Sequence, residues 1–110
     1  MDASITPAAL QQALRSGRPP LVIDVRKPPA FLAATDMIRG ALRRDPARVA
    51  DWGPALASAA GVVVYCVHGH EVSQGVAQAR GARSLEGGIE PWDGERMAKP
   101  AGAATRWVTR

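Results

Sequence analysis

The 110-residue chain carries two short, nearly continuous apolar runs, LVIDV at 21–25 and VVVYC at 62–66. Prolines or a glycine stand just before each run, and both are rich in β-branched residues. This pattern predicts strands buried on both faces, as in a parallel sheet, rather than the alternating strands of a half-exposed one.

Between these runs the periodicity is helical. Thr6 before Pro7 reads as a cap and first helical residue for PAALQQALRS, 7–16, which Gly17 and the following RPP close. The stretch 27–46, KPPAFLAATDMIRGALRRDP, is broken at both ends and is expected to be mostly loop with a short helical turn around Phe31. PARVADWGPALASAA, 46–60, reads as helix in pieces, interrupted at Gly53-Pro54. VSQGVAQARG, 72–81, is a helix ending at Gly81. ARSLEGG, 82–88, is a third, short strand, with Gly87 and Gly88 in a turn. Residues Ile89 to Met97 are expected to form a final helix with Trp92 facing inward. Strands separated by helices imply an α/β fold, a parallel β-sheet flanked by helices on both faces. One domain is expected over 1–99, followed by a tail, 100–110, either weakly ordered or docked by Trp107.

Composition narrows the functional classes. Fourteen Lys and Arg against ten Asp and Glu give a net charge of +4, which modestly favours anionic ligands. The cationic residues lack the aromatic interleaving and motifs of nucleic-acid binders, so no nucleic-acid partner is expected. No apolar stretch approaches the ~20 residues of a membrane span, and MDASITPAALQQ has no leader pattern, so no membrane partner and a cytoplasmic location are expected. The single cysteine, Cys66, excludes an internal disulfide.

Cys66 and both histidines fall in one segment, VVVYCVHGHEVSQG at 62–75. A parallel strand ending at Cys66, followed by a loop and a helix, puts the thiol at the carboxyl edge of the sheet, where open α/β sheets bind ligands. Unpaired N–H groups and the positive end of the next helix favour a thiolate there. Gly69 permits the tight turn of a loop that aims its amides inward. From this local pattern two readings stand side by side: an activated nucleophile, or a buried structural cysteine that closes the strand.

Four segments, VIDVR, MIRGA, VVVYCVHGHEVS and LEGGIEPW, occur in the order and at roughly the spacing of a rhodanese-like domain, and the chain resembles that family over about residues 5–97. The resemblance implies a small single-domain sulfurtransferase of the thiosulfate sulfurtransferase family. Cys66 would carry the transferred sulfur, and the backbone amides of Val67, His68, Gly69, His70, Glu71 and Val72 would form its cradle. It implies a small anionic sulfur donor, a thiol or cyanide acceptor, a protein acceptor as an alternative, and no cofactor. A rhodanese-fold binding or regulatory module of low activity is the other class of function left open. The chain departs from the family pattern at Glu71, where an arginine is usual, at Val72 in place of serine, at Ala30 in place of an acidic residue, and at Met37 and Arg39 in the middle turn. A carboxylate at 71 repels an anionic donor.

Asp24 and Arg26, at the end of the first run, are read as supporting residues that hydrogen-bond around the loops. Two readings stand for Arg43 and Arg44: cations beside the mouth of the site, offered to a donor, or solvated surface arginines. His68 is expected to line the pocket and His70 to stiffen the loop by pairing with Glu71. Two histidines at spacing two with one cysteine fall short of a zinc site, so no metal is expected. Trp52 and Trp92 are read as packing residues.

Overall fold

The structure is a computed structural model that describes residues 3–100. In chain order its regular elements are β1 (Ser4–Ile5), α1 (Pro7–Leu14), β2 (Leu21–Asp24), α2 (Pro28–Ala33), β3 (Asp36–Ile38), β4 (Leu42–Arg43), α3 (Val49–Trp52), β5 (Val62–Tyr65), α4 (Glu71–Arg80), β6 (Arg83–Leu85) and β7 (Arg96–Ala98). Short 3₁₀ turns at Pro46–Arg48 and Gly53–Ala55 flank α3.

The two apolar runs are neighbours at the middle of the main sheet. Leu21 stands opposite Val62 and Asp24 opposite Tyr65 in a parallel pair. Five strands in the order β1-β6-β5-β2-β4, every pair parallel, make up this sheet. Because successive side chains point to opposite faces, the runs feed two cores. Val22, Val63 and Tyr65 pack with Leu10 of α1, Phe31, Ile38 and Trp92 on one face. Ile23, Val25, Val62 and Val64 pack with Trp52 of α3 and with Val76 and Ala77 of α4 on the other. Burial on both sides is what made these strands read as continuous apolar runs.

Local chemistry sets the helix boundaries. The Thr6 side chain accepts from Ala9 N–H at 3.1 Å, with Pro7 in the first turn, and so starts α1. Gly81 ends α4 in the left-handed conformation at φ 77°, which costs glycine little. No described helix is long and apolar enough to cross a membrane.

Two expectations are corrected. The stretch 27–46, read as mostly loop, holds α2 around Phe31 but also β3 and β4. Residues 89–97 form no helix: Trp92 N–H reaches Ile89 O in a single turn, and the chain then extends into β7, antiparallel to β3, with Met37 opposite Met97. Pro91 and Gly94 disfavour helix there. The Arg96 guanidinium holds the bend by donating to the carbonyls of Ile89 and Trp92, at 2.7 and 2.8 Å. Trp92 does face inward and is buried. The tail beyond residue 100, including Trp107, lies outside the described residues.

Candidate active site at the carboxyl edge of the sheet

β5 ends at Tyr65, and the chain turns through Cys66–His70 into α4. Three glycines from two distant segments shape that turn. Gly69 is left-handed at φ +76°, and a methyl group on it would stand 2.7 Å from Leu85 O and 2.8 Å from the amide nitrogens of Gly87 and Gly88. The segment after β6 is laced to the loop by Ile89 N–H to Cys66 O at 3.0 Å and Glu90 N–H to Val67 O at 3.1 Å. On the helix side, Gln74 donates through Nε2 to Gly69 O at 2.9 Å. Loop and turn fix each other, so the amides of the loop are held in place before any ligand arrives.

Cys66 lines a pocket of about 210 Å³ together with Ala30, Val67 and Val72, with Arg26, Lys27, His68, His70 and Glu71 around it. Cys66 is only 6% exposed, so its thiol is less open than the sequence suggested. Yet its surroundings are polar. Sγ is 3.2 Å from the hydroxyl of Ser73, itself fully buried in the first turn of α4. Burial pushes the thiol pKa up, but the Ser73 hydroxyl and the amides of Ser73, Gly69 and His70 stabilise the thiolate more, and the net shift is below the ordinary thiol value. The arrangement suits a nucleophile that holds negative charge.

Behind the loop, β2 delivers a buried polar cluster. Asp24 is fully buried and accepts from Arg26 Nη2 at 2.6 Å, from Arg26 Nε at 3.0 Å and from the Tyr65 hydroxyl at 2.9 Å. Tyr65 in turn accepts from Ile38 N–H at 3.1 Å. Burial, together with the Asp24 carboxylate, raises the Tyr65 pKa. Arg26 loses hydration, but its bonds to Asp24 outweigh that loss and raise its pKa. The cluster ties β2, β3 and β5 together at the edge from which the loop springs.

Arg43 and Arg44 are corrected. Neither lines the Cys66 pocket. The Arg43 guanidinium is buried 4.7 Å over the Phe31 ring, and desolvation lowers its pKa. Arg44 donates to the carbonyl of Arg43 at 2.7 Å. β4 pairs with β2 on the side away from β5, and this carries both arginines off. The expected His70–Glu71 pair is also replaced: His68 Nδ1 meets Glu90 Oε1 at 3.1 Å, with both side chains largely exposed. Among the described residues, no three His, Cys, Asp or Glu side chains converge to hold a metal ion.

The sequence profile of the rhodanese-like domain matches residues 6–95, a span that includes the strand-loop-helix around Cys66 and the glycine turn beneath it. The chain belongs to the rhodanese-like domain family. Solved rhodanese-like structures share its fold. One is a rhodanese-related protein from Thermoplasma volcanium, 20% identical over 86% of this chain and 96% of the other, with a TM-score of 0.70. Another is a rhodanese-like domain protein from Staphylococcus aureus, 24% identical over 90% and 97%, with a TM-score of 0.69. A rhodanese-like domain from Anabaena is 22% identical over 90% and 81%, with a TM-score of 0.70. A search of curated proteins gave no match.

Within this rhodanese-like domain, sequence reasoning missed Ser73 and Lys27. A helix that begins at Glu71 puts Ser73 third, where backbone N–H groups lack helical partners and point toward the loop. That signal was available and was lost to a boundary one residue late. Lys27 comes to line the same pocket as Cys66 because β2 and β5 end in register, and it forms no ion pair among the described residues.

Proposed function

We propose that this rhodanese-like domain is a sulfurtransferase that carries sulfane sulfur as a persulfide on Cys66. The observation that supports this reading best is a cysteine that lines an open pocket, with its ionised form favoured by Ser73, Gly69 and His70. In the first step the Cys66 thiolate attacks the outer sulfur of a donor such as thiosulfate. A sulfur–sulfur bond forms, the donor's own sulfur–sulfur bond breaks, and sulfite leaves with the electron pair. The same amides then hold the persulfide anion. In the second step cyanide or a thiol attacks the outer persulfide sulfur and releases the Cys66 thiolate. With one cysteine in the chain, the sulfur leaves to an external acceptor. A reducing cytosol, which keeps a lone thiol free, suits this chemistry.

The test is incubation with thiosulfate or mercaptopyruvate, followed by intact mass. One added sulfur atom is expected, removed by cyanide and absent in Cys66→Ser. A chain that takes up no sulfur from either donor or from an organic thiosulfonate, with a freely alkylated Cys66, contradicts the proposal and favours a binding module built on the same fold.

A further inference from the structure

The Cys66 pocket has a neighbour with which it shares part of its wall. Lys27 and Val72 line the Cys66 pocket and also line a second depression, a groove of about 540 Å³ between the start of α2 and α4. The groove is walled by Pro28, Pro29, Pro46 and Val49 on one side and by Gly75 and Val76 on the other. Its one carboxylate, Asp45, already accepts from Ala47 N–H at 2.9 Å. An apolar groove bordering the pocket of a nucleophile is poorly matched to a small inorganic dianion. Glu71 on the pocket wall adds repulsion to that mismatch. The same groove offers cover to a carbon skeleton, and Lys27, on the wall of both depressions, offers one cation, enough for a singly charged head.

We infer that the sulfur donor of this protein is an organic sulfane-sulfur compound of at most one negative charge, whose apolar substituent lies in the groove beyond Val72 while its outer sulfur meets Cys66. This rests on the sulfur-transfer reading and names its substrate class. With an organic persulfide, the Cys66 thiolate bonds to the outer sulfur, the donor's sulfur–sulfur bond breaks, and the organic thiolate leaves with the electron pair. The proton on the outer sulfur stays with the new persulfide.

Two thiosulfonates test this, because each transfers its outer sulfur and expels a sulfinate, and each carries one negative charge. Methanethiosulfonate has no apolar body and benzenethiosulfonate has a phenyl ring. Rates of persulfide formation on Cys66, read by mass, are expected to be about tenfold higher for the phenyl compound, the size expected when one face of a ring leaves water. Gly75→Leu fills the groove from a position where an added Cβ meets nothing within 4 Å, and it improves the helix propensity of α4. It should bring the ratio of the two rates close to one. Equal rates in the parent protein, or a ratio that Gly75→Leu leaves untouched, overturn the inference and leave the groove to a second copy or a macromolecular partner. If neither compound loads Cys66, sulfur transfer itself fails.

Discussion

Gly88 sits directly beneath the Cys66–Val67 peptide: a methyl group on its Cα would stand 2.4 Å from Val67 O and 2.5 Å from Cys66 O. Its φ of +65° is also one that side chains rarely adopt. Gly88→Ala therefore forces the loop and the turn apart. An expected loss of about 2–4 kcal/mol combines left-handed strain with backbone displacement. Chemical denaturation measures the loss, and Cys66 alkylation at fixed pH should slow in the same variant. Unchanged alkylation would mean that the turn does not set the loop.

Ser73 provides both an amide and a hydroxyl for the sulfur. Ser73→Ala keeps the amide and removes the hydroxyl, so the pH midpoint of Cys66 alkylation should rise, because a hydrogen bond to the charged form is lost. The sign extends to stability. The folded-state thiol pKa is depressed, so the thiolate contribution is fully present above the unfolded value of about 8.5 and is lost as pH falls through the folded value. Between those two pH values, denaturation midpoints of the parent should rise with pH more steeply than those of Ser73→Ala.

Asp24 neutralises a guanidinium that is 3% exposed. Asp24→Asn leaves that cation buried without its carboxylate, and about 3 kcal/mol or more should be lost. Tyr65→Phe costs less, about 1–2 kcal/mol, because it unpairs Ile38 N–H and removes one of three hydrogen bonds to Asp24 Oδ2 but leaves the ion pair. Urea midpoints should rank parent, Tyr65→Phe, Asp24→Asn in falling order.

Lys27 and Glu71 set opposite charges on the rim of the sulfur pocket. Glu71→Gln should speed sulfur loading from thiosulfate, and Lys27→Gln should slow it, each by roughly threefold at low salt. Both effects should shrink as ionic strength rises, because the side chains are exposed. Stopped loading assays across a salt series provide the measurement.

How much of this could be read from the chain alone depended on whether the forces were local. β2 and β5 were legible because burial on both faces leaves an unbroken apolar run. The start of α1 was legible because Thr6 and Pro7 act within one turn. β1 and β4 are two residues each, and β3 and β7 three each, and they exist through partners far along the sequence. Arg96, which bends 89–97 away from helix, works through carbonyls that only the folded chain presents to it. At the site, Cys66 and Gly69 were legible from strand, loop and helix order. The second role of Gly87 and Gly88 was not: LEGG reads as a turn, whereas its contact with Cys66 and Val67 appears only when β6 lies beside β5. Arg43, expected beside the mouth of the site, was not legible because the Phe31 ring that gives it a buried seat comes from an element twelve residues earlier.

The central claim is that the loop and the first turn of α4 hold Cys66 as a thiolate, and the pH dependence of its alkylation tests that most directly. Half-maximal reactivity below the unperturbed value of about 8.5 is the predicted result. A midpoint at or above that value, in a protein that is folded throughout the titration, would contradict it.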